Sequence, residues 1–353
     1  MRKGSYLEFS QRLERLALRK AIPLRVCFEL TYNCNFNCRH CYVPKAYQRE
    51  YRKKELKTEE VFFILRQLKQ AGGFYLGFTG GEPFLRRDIL RILDFAKRCG
   101  FQIIINTNGS LLEKKTVSYL ANLGINKLDI TLPALTRVAF QRITGAGEKE
   151  RKQLFRAIEF LTKNKVNFSL KSCLLKENEP QMPRIRDFAR SLGVRHRLDD
   201  RFFPRLDGSE QPYKYRAKPA VKNGLCRLKN RRVKFSTEEC PEASGNKGSR
   251  ELFFCGAGLT QAAITPAGEL KLCLMIDYPR YKIRESSFAE CWSRLKKFVQ
   301  SIKIGKDYKC QDCSLRPYCK SCPAISWLKA RDFFSCDTES KLWAESERCL
   351  YEN

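Results

Sequence analysis

Between residues 24 and 200 the chain alternates short apolar runs with amphipathic stretches, and glycines punctuate the joins. Residues 24–30 (LRVCFEL) read as a strand, and 58–71 as a helix capped by Thr58 and stopped at Gly72. The same pattern gives a strand over 74–79, a helix over 88–99 ending at Gly100, and a strand over 101–107. A helix over 112–123 ends at Gly124, a strand covers 127–132, and a helix covers 151–163. A strand over 166–174, a helix over 183–192 stopped at Gly193, and a sixth strand over 194–198 complete the series. Six β-α alternations with short connections imply a parallel sheet. Such an array is either a partial barrel or an open doubly wound sheet, and chemistry belongs at the C-terminal strand ends in both.

After residue 200 the texture changes. Residues 201–250 are rich in Arg, Lys, Pro and Gly, and read as a basic connecting segment. The expected organisation is an N-terminal extension over 1–23, an α/β core over 24–200, the basic linker over 201–250 and a cysteine-rich domain over 251–353. No run of 18 or more apolar residues occurs, and the N-terminus (MRKGSYLEFSQRLERLALRK) lacks the apolar stretch of a signal peptide. A cytoplasmic protein without membrane partners is therefore expected.

That placement governs the 17 cysteines. In a reducing compartment, clustered cysteines are metal or cluster ligands more often than disulfides. Cys27, Cys99 and Cys173 stand alone among apolar neighbours and read as core residues. The formal charge of +30 exceeds what bound anionic clusters neutralise. It suits an acidic peptide, a nucleic acid or a redox protein with an acidic face, or else a solubilising surface.

Cys34, Cys38 and Cys41 lie in the spacing C-x3-C-x2-C directly after the first strand (ELTYNCNFNCRHCY). Three thiolates in one loop can bind three irons of a cubane and leave the fourth open, whereas structural zinc asks for a fourth protein ligand. One strand later stands Gly80-Gly81-Glu82-Pro83. Glycines let a backbone approach a ligand, and a carboxylate suits an ammonium. Together these segments resemble the radical SAM superfamily. The resemblance implies a partial (β/α)6 barrel of TIM type, a [4Fe–4S] cluster on Cys34, Cys38 and Cys41, and S-adenosylmethionine (SAM) held at the open iron. It further implies that Gly80–Pro83 meet the methionine ammonium through backbone carbonyls and Glu82, and that His40 makes backbone contacts to the adenine. Asn108, in the turn TNG, Thr131 near the ribose and Arg142 near the carboxylate are further cofactor-binding residues by resemblance.

A second group runs Cys255, Cys273, then Cys310-x2-Cys313-x5-Cys319-x2-Cys322, then Cys336. Gly268-Glu269 reads as a hairpin turn leading into Cys273. The array is similar to the SPASM domain, a small C-terminal iron–sulfur domain that follows many radical SAM cores. By that resemblance Cys255, Cys273 and Cys322 ligate one auxiliary [4Fe–4S] cluster, with Cys226 or Cys240 as a candidate fourth ligand. Cys310, Cys313, Cys319 and Cys336 ligate a second, with Cys349 competing for the last place. A zinc ribbon is the alternative for these C-x2-C pairs.

The implied enzyme cleaves SAM reductively to a 5′-deoxyadenosyl radical and oxidatively modifies a peptide or protein. It takes electrons from a donor such as flavodoxin or ferredoxin, and a separate peptide-binding partner or the basic surface recognises the substrate. The alternatives are a radical SAM enzyme acting on nucleic acid or a small molecule, and a zinc-binding adaptor.

Overall fold

The computed structural model describes residues 6–217, 221–222, 225–226, 252–305, 308–319 and 322–352. Helix α1 (Tyr6–Lys20) precedes strand β1 (Arg25–Thr31), and α2 (Lys45–Arg52) and α3 (Thr58–Gln70) lead to β2 (Tyr75–Gly80). Then follow α4 (Ile89–Arg98), β3 (Gln102–Thr107), α5 (Lys114–Leu123), β4 (Lys127–Thr131), α6 (Arg137–Thr144) and α7 (Glu148–Lys163). Strand β5 (Phe168–Cys173), α8 (Met182–Ser191) and β6 (His196–Asp199) end the α/β array. The two-residue strands β7 (Val221–Lys222) and β8 (Leu225–Cys226) pair with each other. The C-terminal part holds β9 (Gln261–Ile264), β10 (Glu269–Lys271), β11 (Tyr281–Lys282), α9 (Phe288–Ser301), α10 (Pro323–Ala330) and α11 (Thr338–Glu352).

Strands β1 to β6 lie side by side in sequence order, all parallel. A monotonic order with right-handed crossovers puts every connecting helix on one face, whereas a doubly wound sheet needs a reversal of order. The array is therefore the partial barrel. Beyond β1 the sheet continues into β9, which pairs parallel to it (Arg25 opposite Gln261, Phe28 opposite Ile264). Strands β10 and β11 follow antiparallel, giving nine strands in all. The β9–β10 hairpin turns at Gly268 (φ +79°), as its sequence suggested.

Strand alternation sorts the side chains onto two faces. Val26, Phe28, Leu76, Phe78, Ile103, Ile105, Leu128, Ile130 and Leu170 form the helix-facing core. Helix α3 meets it with Val61, Ile64, Leu65 and Leu68, an i, i+3, i+4, i+7 stripe. Opposite parity puts Cys27, Glu29, Asn106, Asp129, Lys171, Cys173 and Asp199 on the concave face. Of the cysteines expected in the core, Cys27 is thus on the polar side, its sulfur facing Gly77. Cys99 caps the end of α4 and Cys173 packs at the core's rim.

Six helices, α1, α2, α6, α9, α10 and α11, have no counterpart in the sequence expectation. Helix α2 is highly charged, but Tyr51 packs edge-on against Tyr32 with ring centroids 4.9 Å apart. Thr58 does not cap α3: it is the first helical residue, and its hydroxyl donates to Asp88 Oδ2 at 2.7 Å.

His196, on β6, approaches Ser172 Oγ at 3.0 Å, and burial lowers its pKa to about 4. A base whose folded pKa is depressed contributes stability above its unfolded pKa and loses it as pH falls toward the folded value. Between pH 7.5 and 5 the wild type should lose about 2 kcal/mol more unfolding free energy than His196→Gln. Urea titrations of both proteins at the two pH values measure this, and equal losses would refute it.

Candidate functional site

The cysteine loop leaves β1 and is pinned from below by α6. Asn37 N–H donates to Thr144 O at 2.7 Å and Arg39 N–H to Ile143 O at 3.0 Å. Gly145 ends α6 at φ +66°, close against Asn37. Within the loop, Phe36 N–H points at Cys34 Sγ (3.4 Å) and Cys41 N–H donates to Cys38 O (3.1 Å).

The three thiols are half-buried and close enough to act on one another electrostatically. Burial raises all three, Cys34 to about 11 and Cys38 and Cys41 also upward; neighbouring cysteine charge adds to the rise at Cys34 and Cys38. Such thiols stay protonated unless a cation compensates the thiolates. Among the described residues no three His, Cys, Asp or Glu side chains converge on a single ion. A cubane, with a thiolate at each of several corners, asks for a wider set. Three half-buried thiols in one short loop fit such a group.

Strand β2 brings Gly80–Pro83 against this loop. A Cβ on Gly80 would stand 2.1 Å from Thr31 O, and one on Gly81 2.2 Å from Asn33 O. Gly80 also has φ +132°. Without side chains the backbones close up: Gly81 N–H donates to Thr31 O (2.7 Å) and Glu82 N–H to Asn33 O (2.8 Å). Both glycines are thus required by the loop's own backbone.

Glu82 departs from the expectation of an ammonium partner. Its side chain is fully buried, accepting from Thr107 Oγ1 (2.7 Å), Asn108 N–H (2.7 Å) and Phe84 N–H (3.1 Å). Burial outweighs these donors and raises its pKa to about 7. The carboxylate ties the end of β3 to the end of β2. Asn108, held there, donates Nδ2–H to Asn35 Oδ1 (2.8 Å) and lies 4.0 Å from Cys34 Sγ.

Thr131 ends β4 opposite Lys171 and is half-buried, while Arg142 is exposed on α6, just before the Ile143 and Thr144 carbonyls that hold the cysteine loop. His40 contacts the ring of Phe202 at 6.4 Å between centroids. Its Nδ1 is buried without a hydrogen-bond partner, and burial lowers the ring's pKa to about 4. A neutral imidazole with a free nitrogen beside the loop is an unmet polar contact.

The sequence reading missed the ion network of the concave face. Glu29 is fully buried and receives Lys271 Nζ (2.9 Å), Tyr32 OH (2.9 Å) and Tyr42 OH (3.0 Å). Lys271 belongs to β10, so this pair ties the barrel to the C-terminal region. Lys171 reaches Asp129 Oδ2 at 2.5 Å and Asn106 Oδ1 at 2.8 Å. The signal was present in KLDIT and FSLKSC, where polar residues alternate with apolar ones.

The C-terminal cysteines fall into two neighbourhoods. Cys273 and Cys322 interact, and Cys255, like them, packs against the core. Burial raises Cys273 to about 12 and Cys322 also upward; Cys322 stands at the N-terminal boundary of α10. Exposed Cys336 interacts with Cys310 and Cys313, and Tyr308 with Cys310 and Cys319. Cys291, in the same stretch, is buried in α9. Cys240 and the side chains of Cys226 and Cys349 lie outside the described residues.

The barrel, the cysteine loop and the Gly-Gly approach define a class of enzyme. Residues 28–189 match the Radical SAM superfamily, so this part of the chain is a radical SAM domain. The protein is a SAM-dependent enzyme, and the family uses a [4Fe–4S] cluster with SAM. Over 327 residues it is 23% identical to an AdoMet-dependent heme synthase of Oleidesulfovibrio alaskensis, covering 85% of this chain and 82% of the relative. Over 169 residues it is 33% identical to a probable GTP 3′,8-cyclase of Methanococcus maripaludis, covering 47% of this chain and 54% of the cyclase. Streptococcus suis SuiB, solved with precursor peptide SuiA, superposes with a TM-score of 0.70 over 96% of this chain and 82% of SuiB, at 19% identity. The structure of anSMEcpe with AdoMet and the Cp18Cys peptide gives a TM-score of 0.70 over 94% of this chain and 96% of that one, at 16% identity. Among the described residues no helix is long and apolar enough to cross a membrane.

Proposed function

We propose that the enzyme is a maturase that oxidatively modifies a peptide or small protein. The supporting observation is the pair of additional cysteine neighbourhoods behind the barrel, around Cys273/Cys322 and Cys310/Cys313/Cys336. Auxiliary clusters there would accept electrons released when a substrate is oxidised, and SuiB and anSMEcpe, which share the overall fold, were both solved with peptides.

In this reading Cys34, Cys38 and Cys41 hold the SAM-cleaving cluster. Once bound, it supplies the electron that splits the sulfonium. Gly80–Pro83 offer backbone groups to the ammonium. Glu82 acts indirectly, holding Asn108 beside the loop. His40, Thr131 and Arg142 line the approach for adenine, ribose and carboxylate. Cys255, Cys273 and Cys322 serve one auxiliary cluster, and Cys310, Cys313, Cys319 and Cys336 the other. The extension, core, linker and auxiliary domain keep the boundaries 1–23, 24–200, 201–250 and 251–353, in a cytoplasmic enzyme reduced by a flavodoxin or ferredoxin.

The names of the curated relatives favour one second reading, a small-molecule substrate. Anaerobically reconstituted protein should carry about twelve irons with matching sulfide. With SAM and dithionite it should remove pairs of hydrogens from a peptide encoded beside its gene, seen by mass spectrometry. Turnover of GTP with every such peptide unchanged would sink the maturase reading.

A further inference from the structure

A cleft of 580 Å³ opens beside the cysteine loop. Thr31, Asn33 and Cys34 form its floor, and Arg52, Leu85 and Arg87 stand around it. Among the described residues lining it, none comes from β3 to β6. It is thus separate from the Asp129–Lys171 face that a substrate in the barrel would meet. Of the three loop thiols Cys34 is the least enclosed.

The charges around the cleft are unequally answered. Arg86 is bound to Asp88 at 2.7 Å and Lys54 to Glu50 at 2.7 Å. Glu55 and Asp88 are the acidic groups lining it; Asp88 is taken by Arg86, and Glu55 receives Thr31 Oγ1 and Asn33 Nδ2. Arg52 and Arg87 are exposed and have no carboxylate partner among the described residues; Arg52 donates only to Asn33 Oδ1, at 3.2 Å. Arg49 and Lys53 are exposed on the same turn of α2 and its end. The result is a positive rim around a polar floor that reaches Cys34, with exposed Leu85 as an apolar contact.

We propose that this cleft docks an acidic one-electron carrier protein, which delivers electrons through Cys34. The inference rests on reading Cys34, Cys38 and Cys41 as the SAM-cleaving cluster site. Each cleavage consumes one electron. The carrier is oxidised by one electron, the carbon–sulfur bond of the sulfonium breaks, and methionine and the 5′-deoxyadenosyl radical leave. Redox encounters are small and brief, so unpaired charge around a shallow cleft governs them through steering more than through buried area. Steering across a Debye length of about 8–10 Å makes such docking fall with salt.

The test compares wild type, Arg52→Glu/Arg87→Glu and Arg52→Lys/Arg87→Lys, all loaded anaerobically. Calorimetry against oxidised flavodoxin at low salt should show affinity at least tenfold weaker for the charge reversal and unchanged for the lysine pair. Methionine release driven by reduced flavodoxin should fall about tenfold in the reversal, while release driven by dithionite stays within twofold. The proposal is overturned if flavodoxin binding is unaffected, or if both reductants lose equally, which would place the cleft in the SAM site. Loss confined to an acidic substrate peptide would overturn it too. Wild type that releases no methionine with dithionite fails the enzymatic reading instead, and the binding measurement still judges the docking surface.

Discussion

Cys38→Ala will bring SAM cleavage to background while leaving the barrel folded. Cys38 sits between Cys34 and Cys41 and feels both, so its removal leaves two thiolates where a cubane needs three. The loop backbone does not depend on it: Asn37 and Arg39 remain hydrogen-bonded to Thr144 and Ile143 of α6. Losing a half-buried thiol costs the fold about 1 kcal/mol or less. Visible absorbance of the anaerobically loaded protein, methionine release with dithionite and a urea melt separate the two effects. Cys99→Ala, at the end of α4 and remote from the loop, should keep both absorbance and activity. Retained cleavage in Cys38→Ala would remove that thiol from the cluster.

Gly81→Ala should destabilise the protein by more than about 3 kcal/mol and empty the cluster site with it. The new methyl would lie 2.2 Å from Asn33 O and 2.6 Å from Tyr32 O, both backbone atoms of the loop that carries Cys34. Neither can rotate away as a side chain would. Relief requires β2 to part from the loop, which breaks the bonds Gly81 N–H to Thr31 O and Glu82 N–H to Asn33 O. Glu82 would move with it, releasing Thr107 and Asn108. Gly193→Ala provides the contrast. Its φ is +69° but nothing lies within 4 Å of the added carbon, so the cost should be near 1 kcal/mol. Urea denaturation and iron content of both variants decide the matter, and equal costs would show that crowding at Gly81 is relieved cheaply.

The barrel was legible because its signals are local. Strand periodicity, glycine stops and the β-α alternation each reside within a few neighbours, and all six parallel strands appear within one or two residues of their expected limits at most ends. The choice of barrel over doubly wound sheet was not legible, since strand order is a property of pairs far apart in the chain. Helix α2 escaped because its one buried side chain, Tyr51, is surrounded by Lys, Arg and Glu that dilute any apolar stripe. The cysteine loop and the Gly-Gly pair could be read by spacing alone. What the pair does could not: the glycines are needed for the approach of two strand ends, and Glu82 turns inward onto Thr107. A side chain's direction at a strand end depends on donors supplied by another strand. Likewise the bond from Lys271 to Glu29 joins residues that no local pattern connects.

The pairing of β9 with β1 sets a schedule for the nascent chain. Strand β1 ends at Thr31, yet the partner for its outer edge ends only at Ile264. At roughly 5–20 residues per second, that edge waits about 10 to 50 s during synthesis. For that interval an apolar strand shows unpaired amides and carbonyls, the template on which other chains aggregate. Faster elongation would shorten the exposure, and truncation before residue 261 would make it permanent.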